Sequence, residues 1–223
     1  MRQIALITIG QTPRDELVQE VGGWLPDRIS IIQAGALDGL SSVMIAAHAP
    51  ATAEKALVTQ LQDGSEASVD GGFAHARLQQ AIRGLENQVD LIGVVCSAPF
   101  PALACRVPLV IPYRLLQGAL AAAALPGPWG VLVPAAMQIQ PVRGELQQWG
   151  LNAVVLAVSP YTAGDDEDIA VAVRRLREAG ASAVFLNCFG YTLAMKRAAQ
   201  AAGGCPVVAI RSLFGRMLAE LVD

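Results

Sequence analysis

The chain has 223 residues, 53% of them hydrophobic, with a net charge of −3 from 16 basic and 19 acidic side chains. That length is enough for one large α/β domain or two small lobes, and charges of both signs are interspersed, without the basic stripe that tracks phosphates, so nucleic acid is not an expected partner. A membrane is not expected either: the best candidate span, Val107 to Leu125, is interrupted by Pro108, Pro112 and Arg114, whereas a bilayer-crossing helix needs about 20 uninterrupted apolar residues.

Ile4 to Ile9 is the first predicted strand, and its position at the very start leaves no room for a signal peptide, so a cytoplasmic protein is expected. Gly10-Gln11-Thr12-Pro13-Arg14 then turns the chain into a helix, with Thr12 as the expected N-cap and Pro13 at the first helical position. Ile29 to Gln33 is a second strand, followed by a loop from Ala34 to Gly39. A helix is predicted from about Ala74 to Gln88, with Leu78, Ile82 and Leu85 on one face. It feeds an apolar strand that ends at Cys96, and Val107 to Ile111 is a further strand leading into an amphipathic stretch.

Pro126-Gly127-Pro128 is the clearest break in the chain. Trp129 to Val133 is the next predicted strand, then a helix from Arg143 to Trp149 stopped by Gly150, and a strand from Ala153 to Val158. A loop from Ser159 to Gly164 follows, and Ile169, Val173 and Leu176 recur at helical spacing up to Gly180. The acidic run Asp165 to Asp168 is explained by its place at that helix start. Ala183 to Asn187 run as a strand into Cys188, and Cys205 to Ile210 repeats the pattern seen after Cys96. Strands alternate with helices throughout, which predicts an α/β fold with mainly parallel sheets. The expected architecture is two pseudo-symmetric flavodoxin-like lobes, 1–125 and 126–223, with an interlobe cleft and terminal helices free to cross between lobes.

Cys96 and Cys188 each close an apolar run and open a loop of small residues. An apolar run of that kind reads as a buried parallel strand, so each sulfur is expected at a strand's carboxyl end, where open α/β sheets bind ligands. A cysteine in such a place also serves as a small hydrophobe, and one alone would be read that way; the repetition makes a paired chemical role an equal reading. Two thiols can deprotonate a carbon acid on one face and reprotonate it on the other without a cofactor. A free cysteine has a pKa of about 8.5, lowered at a helix N-terminus or beside a cation. Backbone N–H groups near Ser97, Ala98 and Gly190 are candidates to hold a substrate carboxylate. Cys105 and Cys205 read as structural, and the four cysteines include no C-x-x-C pair, so reduced thiols are the default.

Several of these segments resemble the AroM family: Thr8-Ile9-Gly10-Gln11-Thr12-Pro13-Arg14, Cys96-Ser97, Gly130 to Pro134 with Gln138, and Asn187-Cys188-Phe189-Gly190-Tyr191. The resemblance runs nearly end to end. That family in turn resembles the aspartate/glutamate racemase superfamily, which implies two α/β lobes, each bringing one cysteine to the substrate, and a cofactor-independent site. Two positions depart from the family's common pattern, Asn187 in place of Asp and Ser97 in place of Thr. The loss of a carboxylate beside Cys188 favours its thiolate by removing a like charge.

The expected activity is therefore a cofactor-independent racemase or epimerase of a small carboxylate, an amino acid or a derivative, with Cys96 and Cys188 as acid and base. Decarboxylation or isomerisation by one thiol, and non-catalytic binding of an acidic metabolite, are the alternatives. Gly10, Gln11, Thr12, Arg14, Ser97, Ala98, Gly190, Tyr191 and Thr192 are the candidate substrate-binding residues. For Arg14 a ligand carboxylate and plain solvent are equal readings, Thr12 and Thr192 also serve as caps, and Tyr161 is expected packed under a loop. Arg114 and Arg211 are outside candidates for substrate charge. No metal is expected, because His48 and His75 are the only histidines and lack ligand-spaced partners. Lys55 and Lys196, the only lysines, leave little scope for a Schiff base, and no G-x-G-x-x-G follows Ile9 to support a dinucleotide. Self-association into a homo-oligomer is compatible with the sequence.

Overall fold

The computed structural model describes residues 2–161 and 166–223. The chain divides into two compact units, one running up to Tyr113 and regaining Phe214–Asp223, the other comprising Arg114–Leu213. The sequence break at Pro126-Gly127-Pro128 thus lies inside the second unit, and the chain's end belongs to the first.

The first unit contains β1 (Arg2–Thr8), α1 (Asp15–Gly22), β2 (Ile29–Gly35), the short α2 (Ser42–Ala46), β3 (Ala56–Gln60), β4 (Glu66–Asp70), α3 (Gly71–Leu85), β5 (Leu91–Val95) and β6 (Leu109–Val110). Helix α4 (Pro112–Ala122) begins in it and continues into the second unit. There follow β7 (Trp129–Val133), α5 (Ile139–Gln148), β8 (Ala153–Ala157), α6 (Asp166–Glu178), β9 (Ala183–Leu186), α7 (Leu193–Gly203), β10 (Val207–Ala209) and α8 (Ile210–Val222), whose later part returns to the first unit.

Each unit is built on a four-stranded parallel sheet, ordered β2-β1-β5-β6 in the first and β8-β7-β9-β10 in the second. Counted among its own four strands, each sheet reads second-first-third-fourth, the flavodoxin-like order. Three of the four central strands are apolar along their whole length because both faces are covered: every residue of β5, β7 and β9 is buried. In the first unit Leu78 and Ile82 of α3 pack with Ala5, Ile7, Ile92 and Val94. In the second, Ile169, Val173 and Leu176 of α6 pack with Leu132, Val184 and Leu186.

The predicted elements are present with small shifts. Strand β7 has the expected limits, and Gly150 stops α5 in a left-handed conformation (φ 75°) that a side chain would resist. Helix α1 departs from expectation: it begins at Asp15, and Thr12 does not cap it. The Thr12 hydroxyl and N–H are both taken by Asp38, 2.8 Å each, while the Arg14 N–H donates to Gln33 Oε1 at 2.7 Å. Sequence periodicity gave no sign of the antiparallel pair β3-β4. The loop expected at 159–164 and the acidic run at 165–168 fall partly on Thr162 to Asp165, which lie outside the described residues. No helix among the described residues is long and apolar enough to cross a membrane.

Candidate functional site

In both sheets the winding reverses between the first and third strands, and the loops that leave those strands flank the reversal. In the first unit these are the loop after β1, holding Gly10 to Arg14, and the loop after β5, holding Cys96. In the second, the loop after β9 holds Cys188. Each cysteine thus follows the third strand of its own sheet.

The two sulfurs share a local geometry. Cys96 Sγ accepts the N–H of Ala98 at 3.4 Å, and Cys188 Sγ accepts the N–H of Gly190 at 3.3 Å, in each case the amide two residues on. An N–H aimed at sulfur favours the thiolate over the thiol, since it can only donate. These amides were candidates for a ligand carboxylate; the tight turn after each strand curls them back onto the sulfur instead. None of the four cysteines is in a disulfide. Cys188 is buried and Cys96 half-buried.

Around Cys188 the second unit supplies Tyr161, whose hydroxyl lies 3.6 Å from Sγ. Tyr191 is fully buried and its hydroxyl donates to the Val158 carbonyl at 2.6 Å, so its side chain belongs to the core beneath the loop. Burial pushes its phenol well above the ordinary value, and the neighbouring Cys188 charge adds to that. Thr192 caps α7 by accepting the Met195 N–H at 3.2 Å. Arg211, 1% exposed, donates Nε to the Phe189 carbonyl at 2.9 Å and so anchors the loop from within. Arg114 is exposed. Lys196 bonds the Ser212 hydroxyl at 3.1 Å.

The β1 loop is held by polar struts. Gly10 donates to Thr8 Oγ1 at 3.1 Å, and its Cα lies so close to the Gln60 carbonyl and Thr59 hydroxyl that a Cβ would overlap them. Gln11 spans three loop segments: its amide nitrogen donates to the carbonyls of Leu40 and Leu37 at 2.9 and 3.3 Å, and its oxygen accepts the Gln62 N–H at 3.0 Å. Arg14 is not a solvated surface arginine. It is 7% exposed, and its Nε and Nη2 both reach Glu16 Oε1, at 2.9 and 2.8 Å. It lines a small hollow with Thr8, Thr12, Gln33 and Val95, at the carboxyl ends of β1 and β5. Glu16 is about half exposed, so the guanidinium bonds a partly solvated carboxylate, the chemistry a ligand carboxylate would offer.

Of the expected residues, Gly10, Gln11, Thr12 and Arg14 share one loop, Cys96, Ser97 and Ala98 a second, and Cys188, Gly190, Tyr191 and Thr192 a third. Asp38 and Gln33, which fix the first loop, escaped sequence reading, as did the contact of Tyr161 with Cys188. Their signal is a contact across loops, which no local spacing encodes. Among the described residues no three His, Cys, Asp or Glu side chains group as a metal ion requires.

The sequence model of the family described as AroM protein matches residues 4–222. No curated protein matches the chain by sequence. Among solved structures, the Picrophilus torridus aspartate racemase is similar at a TM-score of 0.64 and 11% identity, over 100% of this chain and 94% of that one. The maleate isomerase Iso from Pseudomonas putida S16 gives 0.66 and 13%, over 99% and 92%. Arylmalonate decarboxylase gives 0.59 and 14%, over 99% and 91%. These likenesses establish a racemase-like fold of two α/β lobes.

Proposed function

The chain belongs to the AroM family, and from that premise we propose that it is a cofactor-independent racemase or epimerase of a small carboxylate, an amino acid or a derivative. Cys96 and Cys188 are the two acid–base groups. The observation that carries this reading is the repeated geometry: each sulfur follows the third strand of its own sheet and accepts an N–H from the residue two positions on. A structural cysteine needs no such amide; an acid–base cysteine gains from one, because the thiolate is the working base.

In the proposed cycle one thiolate removes the proton from Cα, and the bonding pair moves into the adjoining carboxylate to give an enediolate. The other thiol then delivers its proton to the opposite face, and the two sulfurs end with their protonation states exchanged. Arg14 holds the carboxylate and stabilises the charge gathering on it, with Glu16 displaced. General acid–base catalysis of this type contributes roughly 10²–10⁴-fold per group.

Candidate amino acids incubated with the enzyme in deuterium oxide should gain deuterium at Cα. Cys96→Ser and Cys188→Ser should each lose that exchange by roughly 10²-fold or more; unchanged exchange in both variants rules the proposal out.

The similarity to arylmalonate decarboxylase and a maleate isomerase favours a second reading, decarboxylation or isomerisation through an enolate with one thiol as its proton donor. Product analysis separates the two. A carboxylate-binding protein without catalysis would show ligand-dependent thermal stabilisation that persists in the double-serine variant, with no exchange.

A further inference from the structure

The surroundings of Cys188 are asymmetric in a way the two-thiol scheme alone does not require. The Gly190 amide can only donate, so it favours the thiolate and cannot accept the S–H of the thiol. A hydroxyl can do both, and the Tyr161 hydroxyl lies 3.6 Å from Sγ with either atom able to donate.

The ring is placed there by close packing. A Cβ on Gly190 would lie 2.7 Å from Cζ and 2.8 Å from Cε1 of Tyr161, and 2.5 Å from Cγ of Pro160. Only a residue without a side chain lets the ring approach the turn that bears the sulfur. The Tyr161 N–H is itself fixed on Ser159 Oγ at 3.1 Å. Two other titratable side chains near this turn hold carbonyls: Tyr191 donates to the Val158 carbonyl, and Arg211 to that of Phe189 within the turn itself. Cys205 joins the same apolar cluster.

We infer that Tyr161 is a positioning residue for Cys188, its hydroxyl donating to the sulfur when it is a thiolate and accepting from it when it is a thiol. The inference rests on the reading of Cys188 as an acid–base group, which must occupy both states in each turnover. A phenol that follows the proton keeps the sulfur aimed in both halves of the cycle, so the base that has just become an acid does not rotate away.

The test is the pH dependence of Cys188 alkylation by iodoacetamide in the full chain, read by quantifying the Cys188 peptide, with the Cys105 peptide as internal reference. Tyr161→Phe keeps the ring and removes the hydroxyl. A bond to the charged form is the stronger one, so its loss should move the Cys188 midpoint up by about half a unit to one unit, with Cys105 unmoved. The acid limb of the kcat/KM profile should move with it. Gly190→Ala, whose methyl displaces the ring, should shift the midpoint in the same direction. A Cys188 midpoint unmoved in both variants overturns the inference.

The two proposals fail separately. A shifted midpoint in a protein that exchanges no Cα proton of any candidate carboxylate keeps the role of Tyr161 and removes the racemase reading. Exchange with an unmoved midpoint does the reverse.

Discussion

Asp38 shows how one side chain sets the shape of a loop. Its carboxylate accepts the Thr12 N–H and hydroxyl, both at 2.8 Å, and the Gly35 N–H at 2.7 Å, joining the loop after β1 to the end of β2. Three donors on one half-buried carboxylate are not replaced by water without cost. Asp38→Ala should destabilise the protein by about 2 kcal/mol, a fall of about 4–8 °C in Tm. Asp38→Asn, which retains one acceptor oxygen, should lose about half of that. Nothing around Asp38 in the chain marks it out, because two of its three donors lie 26 residues away in Thr12. The positions of Cys96 and Cys188 at the ends of strands were legible for the opposite reason: they follow from the apolar run just before each and from its repetition. Arg14 was half legible, since its place at a helix start could be read but its burial could not.

At the scale of elements, periodicity placed the buried helices well because one face of each carries the core. Leu78 and Ile82 on α3, and Ile169, Val173 and Leu176 on α6, are all fully buried as their spacing required. The β3-β4 pair was missed because its strands are five residues each, mix polar with apolar residues, and bury only Ala56, Thr59 and Val69. The start of α1 was misplaced because Thr12 found a stronger acceptor in Asp38 than helix amides would have found in Thr12. Helix α5 carries a further testable feature. Glu145 lies in its C-terminal half, and burial raises the pKa of its carboxyl from the ordinary value. The folded protein then holds that proton more tightly than the unfolded chain, so the contribution to stability is complete below the ordinary carboxylate pKa. It is lost as pH rises through the raised value. Glu145→Gln should therefore raise Tm by about 1–2 °C at neutral pH, with the gain vanishing in melts under acid conditions.

For the whole chain, the first unit depends on residues that the chain supplies last. Phe214, fully buried, belongs to the first unit, and a Cβ on Gly93 of β5 would lie 2.5 Å from its Cζ. Arg2 and Arg28 bond the carbonyls that end α8, at 3.2–3.3 Å. Phe214→Ala should cost about 3–4 kcal/mol through the cavity it leaves, visible as a lower Tm and faster hydrogen exchange in β1 and β5. Gly93→Ala should destabilise by collision with the same ring. Combined, the two should cost less than their sum, because each removes the other's cause. The alternation of strands and helices, the doubling, and the position of both cysteines after third strands could all be read along the chain, because each is written in local apolar pattern and in repetition. That Phe214 packs into the first unit, that Asp38 and Gln33 hold the β1 loop, and that Tyr161 meets Cys188 emerged with the folded chain. Those contacts join residues far apart in sequence through packing, and packing leaves no periodic trace in the order of residues.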